Sequence, residues 1–121
     1  MGTKRIGNWV SFLIDISTST TISDECDLGA CYDYMLLEVP TITTGTLSVQ
    51  ILRESAGTAR NAYSTDSDGS NAQLLADSGS GAFMWIVPIH GARYIKVTAG
   101  AAQAADRTFY ARGIDRYLTW N

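Results

Sequence analysis

His90 is the only imidazole in the chain, so histidine-driven acid–base chemistry would have to pass through it. It stands beside Gly91, as a turn histidine would, and no serine lies in a G-x-S-x-G context that would supply a nucleophile. Cys26 and Cys31 enclose four residues, a gap that fits neither a CxxC redox pair nor half of a zinc site. Two reduced thiols are the reading taken, with a disulfide across a tight turn as the alternative. Asp66 and Asp68 beside Gly69 have the letters of a calcium loop, but the register fails. With Gly69 as the loop glycine, the closing bidentate acid would fall on Leu75. An Asp-Gly hairpin turn accounts for the same residues. Asp24, Glu25 and Asp27 are close in sequence, but a glycosidase needs carboxylates facing each other across a cleft, which adjacency in a loop does not supply. Neither a P-loop nor a dinucleotide fingerprint occurs. No catalytic residue, cofactor or metal is therefore expected, and the chain reads as a binding protein rather than an enzyme.

The charge distribution says more than any motif. Residues 6–52 carry Asp15, Asp24, Glu25, Asp27, Asp33 and Glu38 and no lysine or arginine. From Arg93 to Arg116 the balance reverses, with Arg93, Lys96, Arg107, Arg112 and Arg116 against Asp106 and Asp115. Either these groups pair between neighbouring strands, or they form a self-complementary surface that steers copies or partners into contact. The end of the chain, Arg116-Tyr117-Leu118-Thr119-Trp120-Asn121, offers aromatic anchors of the kind favoured at interfaces. The expected protein-interface residues are Asp24, Glu25, Asp27, Arg107, Arg112, Arg116, Tyr117 and Trp120.

A chain of 121 residues, 45% of them hydrophobic and 17% charged, has the size and composition of a single domain with one core. Its net charge of −3 exerts no overall pull toward phosphate, so no nucleic-acid partner is expected. The longest apolar run, Ala82 to Ile89, is too short to cross a bilayer. The start of the chain has neither a cleavage site nor the Ser or Thr that myristoylation requires at Ile6. No membrane partner is expected.

The elements that must position these groups follow a period of two, broken by Gly, Ser, Thr and Asp clusters. Val10, Phe12, Ile14 and Ile16 share one face of a strand from Trp9 to Ser17. Tyr32 to Val39 is apolar on both faces, as a strand near the centre of a sheet would be, and Pro40 should end it. Thr46 to Glu54 alternates again. Residues 55–81 read as a long loop region, divided by a short strand near Ala72 to Ala76. Ala82 to Ile89 and Arg93 to Thr98 read as two antiparallel strands turned at His90-Gly91, and Arg107 to Asp115 as the last strand. One helical turn is expected within Ala99 to Asp106. The fold class is therefore all-β, an antiparallel two-layer β-sandwich of jelly-roll-like topology. Residues 9–115 form the domain, 1–8 an N-terminal arm and 116–121 a C-terminal tail.

Asp27-Leu28-Gly29, Thr44-Gly45-Thr46-Leu47-Ser48-Val49-Gln50, Arg93-Tyr94-Ile95-Lys96-Val97 and Gln103-Ala104-Ala105-Asp106-Arg107-Thr108 occur in that order. Their layout, over roughly residues 14 to 115, resembles that of small β-sandwich proteins of tailed-phage virions. The resemblance implies a capsid decoration or cement protein on the capsid exterior, assembled in the host cytoplasm. Its partners would be the major capsid protein and itself, often as a homotrimer. Arg53 to Ala72 departs from that layout, being longer than the Asp-Gly hairpin of the look-alikes. The alternative is a glycan-binding or adaptor module of a tail or fibre, with Trp9, Tyr63, Trp85 or Tyr94 as stacking platforms.

Overall fold

The computed structural model describes residues 5–65, 71–73 and 75–115. Seven strands run through them, β1 Val10–Ile14, β2 Cys26–Leu52, β3 Ala59–Asn61, β4 Tyr63–Thr65, β5 Asn71–Gln73, β6 Leu75–Ala99 and β7 Arg107–Ile114. All pairings among the described residues are antiparallel, and no helix occurs there.

The period-two reading of β1 places Phe12 and Ile14 in the core and Ser11 outside, and they are found there. The strand nevertheless stops at Ile14, and Ile16 is exposed. The Asp15 carboxylate accepts hydrogen bonds from the Ser17 N–H at 3.0 Å and the Ser17 hydroxyl at 2.6 Å. This local turn removes Ile16 from the alternation.

β2 and β6 are the main departure from the sequence reading. Each joins what read as separate strands, and at 27 and 25 residues they exceed the usual length of roughly 3–10. They reach that length by bending. Gly29, Gly81, Ala82, His90 and Gly91 all have positive φ, and the register between the two strands shifts near Tyr32 and again between Thr41 and Gly45. His90-Gly91 is thus a kink inside one strand, since Val87 and Ile95 on either side both pair with β2. Pro40 does not end β2 either. β7 pairs with β2 only as far as Glu38, so the missing donor at Pro40 leaves no β7 acceptor empty.

The bends bring β6 back against β2 a second time. Tyr94 is opposite both Asp27 and Leu52, and Ile95 opposite both Cys26 and Ile51. The end of β6 therefore has β2 on both sides. β1, β7 and β2 lie in that order along the sheet, and β3 covers the end of β2 at Gln50 to Leu52. Residues 55–81, expected as a loop, contain β3, the β4–β5 hairpin and the start of β6. The β4–β5 hairpin flanks the expected Asp-Gly turn, which lies outside the described residues. The core between these strands is built from Phe12, Ile14, Met35, Leu37, Val49, Val87, Ile95, Val97 and Phe109.

Ala99 to Asp106 forms bends rather than the expected helical turn. Gln103 holds it. Its buried side chain accepts the Thr43 N–H at 2.8 Å and donates to the Ala101 carbonyl at 3.0 Å. An alanine would leave the Thr43 N–H without its acceptor, so Gln103→Ala should destabilise the fold by about 1–3 kcal/mol in urea titration. A change within error would show that water replaces the amide.

A candidate protein-binding face

Residues directly opposite in an antiparallel ladder point to the same side, so the registers define the outer surface of the sheet. One row runs Ser11, Tyr110, Glu38, Met84 across β1, β7, β2 and β6. The next holds Arg112, Leu36 and Ile86, with Trp9 lying against the Arg112 guanidinium, 5.0 Å from the ring centroid. The third holds Ile6, Ile114, Tyr34 and Pro88. The opposite side of the same strands carries Met35, Leu37, Val87, Phe109 and Ala111, all buried.

An antiparallel sheet with one wet face ordinarily alternates apolar inside with polar outside. Here the outer face is apolar too. Ile86 is 65% exposed and Met84 51%, with Trp9 and Tyr110 each at 43%. A contiguous patch of this kind, unlike scattered surface leucines, makes the face a candidate docking surface. Beyond Met84 and Ile86 the sheet edge is open, because residues 83–88 pair only with β2 among the described residues.

The N-terminal residues complete the face at its third row. The Gly7 N–H donates to the Gly113 carbonyl at 2.8 Å, and the Asp115 N–H to the Arg5 carbonyl at 2.9 Å. Arg5 forms an ion pair with Asp115 at 2.5 Å and lies over the Tyr32 ring. Gly113 is required under that ring, since a Cβ there would enter it. Residues 5–7, within the expected arm, are thereby laid along β7.

The fold is similar to that of a prophage-derived protein. The crystal structure of SPBc2 prophage-derived protein YomS superposes with a TM-score of 0.59, covering 95% of this chain and 97% of YomS at 11% identity. No protein-family model matches the chain, and no curated protein matches it. At that identity the likeness to YomS is one of fold, so the residues of the face have to be read on their own chemistry.

The residues expected at an interface are dispersed. Asp27 is bonded to Arg93 through both carboxylate oxygens, at 2.8 and 3.2 Å. Glu25 accepts the Ser55 hydroxyl at 2.8 Å and the Ala56 N–H at 2.7 Å, steadying a turn in which Ala56 has a φ of 60°. Asp24 is exposed, and its N–H donates to the Leu13 carbonyl. Arg107 is half-buried against Gln103 and Thr43. Of the five that lie among the described residues, Arg112 alone is on the apolar face. Arg116, Tyr117 and Trp120 lie outside the described residues. Asp27 on β2 thus has its counter-ion, Arg93, on the neighbouring β6, as pairing between strands would have it.

These pairs have a pH signature. The hydrogen bonds from Arg93 and Arg5 hold the Asp27 and Asp115 carboxyls below their ordinary range, and bonds from Ser17 do the same for Asp15. A carboxyl depressed in the folded state contributes stability above its unfolded pKa of about 3.9 and loses it as pH falls through the folded value. The urea midpoint should be flat from neutral pH to about pH 5 and fall below that. Asp27→Asn with Asp115→Asn should shallow the fall. An unchanged acid limb would mean that both pairs are broken in solution, as exposed pairs often are.

The groups with chemical potential differ in their exposure. His90 is exposed, and its side chain makes no hydrogen bond among the described residues. Cys26 is buried and Cys31 exposed, and both are free thiols. Burial pushes the Cys26 thiol up to about 12, which leaves it protonated and inert at neutral pH. Of the proposed sugar platforms, Trp9 and Tyr94 each have a guanidinium over the ring, while Trp85 packs against the core.

Sequence reasoning missed Met84, Ile86, Leu36 and Tyr110. The signal was the apolar character of both faces in Tyr32 to Val39 and in Ala82 to Ile89.

Proposed function

We propose that this chain is a structural protein of a tailed-phage virion, a decoration or cement protein of the head that binds the major capsid protein and copies of itself. It works by binding rather than by catalysis, on the capsid exterior, after assembly in the host cytoplasm. The observation that carries this reading is the apolar outer face of β1, β7, β2 and β6, a protein-docking surface on a domain whose buried side is already complete. The fold shared with a prophage-derived protein over nearly the whole of both chains supports a phage setting. The order of the four segments from Asp27 to Thr108 supports the decoration type. The doubled pairing of β2 with β6 is what a two-layer, jelly-roll-like sandwich would require.

The test is made on particles. Mass spectrometry of purified virions should find the chain in a fixed, lattice-like ratio to the major capsid protein, and particles lacking it should release their genome at lower temperature. Virions that contain none of it would end the proposal.

A further inference from the structure

The outer face is apolar but for a few groups, and two of these are charged. Glu38 and Arg112 stand in adjacent rows on neighbouring strands, since Glu38 is opposite Tyr110 and Leu36 opposite Arg112. They are diagonal neighbours, roughly 7–8 Å apart at the backbone. They do not pair with each other. Arg112 donates to the Gly7 carbonyl at 3.0 Å and lies over Trp9. Glu38 is exposed and has no hydrogen bond or ion pair among the described residues. The face therefore carries one carboxylate and one guanidinium, neither with a counter-ion, within an apolar surface.

From this we infer that the occupant of the face is a second copy of the chain, packed face to face about a two-fold axis. The inference rests on the reading of the face as an assembly surface and names its partner. An axis lying in the plane of the face along the Tyr110–Leu36 diagonal exchanges the positions of Glu38 and Arg112. Each carboxylate then meets the guanidinium of the other copy, and Leu36 and Tyr110 meet their own equivalents. Such an isologous contact satisfies both charges at once. A foreign partner would have to present the same two charges in mirrored order. The pairing is two-fold, in place of the three-fold arrangement that the phage resemblance implies. Four strands at about 4.8 Å spacing make a face only about 19 Å across, so the association is of the weak class, strengthened where copies are held on a lattice.

A charge exchange tests it in the whole chain by sedimentation equilibrium up to about 200 μM. The wild type should form a concentration-dependent dimer. Glu38→Arg alone and Arg112→Glu alone should each associate at least 10-fold more weakly, because each places like charges across the axis. An equimolar mixture of the two variants should recover the dimer. In the mixed pair the introduced arginine of one copy meets the introduced glutamate of the other, and the retained Arg112 of the first meets the retained Glu38 of the second. Melting curves show whether Arg112→Glu still folds; if it does not, Glu38→Arg read beside Glu38→Gln takes its place, with the arginine expected to weaken association more than the glutamine. A monomeric wild type, a trimer, or a dimer indifferent to the sign of the charge at position 38 would overturn the inference. Virions containing the chain while it stays monomeric would sink only the two-fold pairing, whereas a charge-dependent dimer absent from virions would sink only the virion role.

Discussion

Phe109→Ala is expected to cost the fold about 3–5 kcal/mol, a large share of the roughly 5–15 kcal/mol that holds a single domain together. Phe109 is fully buried on β7, between β1 and β2, and its ring stacks on Phe12 with centroids 5.5 Å apart. Removing it opens a cavity where three strands meet and takes away the surface on which Phe12 packs. Those neighbours are fixed by ladders on both sides of β7, so they cannot collapse far into the space, and the cost belongs in the upper part of the range for an aromatic truncation. The urea midpoint should fall accordingly, and the melting temperature by roughly 10–25 °C. The neighbouring Tyr110→Ala, on the exposed side of the same strand, should change stability by less than about 1 kcal/mol. If Phe109→Ala cost no more than Tyr110→Ala, the inward and outward sides of β7 would have been exchanged, and the apolar outer face with them.

That contrast was readable in the sequence, because Phe109 and Ala111 alternate with Tyr110 and Arg112 within a short strand that keeps one register throughout. β1 was readable for the same reason, up to the turn at Asp15. The two long strands were not. Pro40 and His90-Gly91 are signals of local chain reversal, but whether the chain reverses there depends on the partner strand. Here the partners bend together, so a kink replaces the turn. The sequence has no local mark of Tyr94 being flanked by both Asp27 and Leu52, since those positions lie far apart along the chain.

The outer face was misread for a different physical reason. Apolar residues on both sides of Tyr32 to Val39 pointed to a strand at the centre of a sheet, and β2 is indeed paired on one side with β7 and on the other with β6. Central in the hydrogen-bonding direction is a separate condition from covered in the stacking direction. The period of two reports only how greasy each side is, and a side that waits for a partner has the same letters as one already packed. The charges show the converse. Asp27 looked like an interface group because of the acidic and basic stretches of the chain, and its carboxylate has Arg93 beside it within the fold.

Ile86→Asp should produce the opposite pattern to Phe109→Ala, with the fold retained and docking lost. Ile86 is 65% exposed at the open edge of the face, so an aspartate there displaces little packing, and the change in stability should stay within about 0.5–1 kcal/mol. In an assembled contact the same carboxylate would be taken out of water beside Leu36 and Met84 with no cation in its row except Arg112, whose charge the Glu38 of the facing copy already offsets. An uncompensated charge in that setting costs several kcal/mol, a loss of at least 100-fold in affinity. Complementation of a deletion phage with Ile86→Asp should therefore yield particles depleted in the chain, because copies that cannot pair through the face hold to the lattice one at a time, although the soluble protein accumulates and melts like the wild type. Ile86→Val, which keeps the surface apolar, should load normally. Equal loading of the aspartate and valine variants would show that the outer face stays wet in the particle, and the contact surface would then have to be sought on another side of the domain.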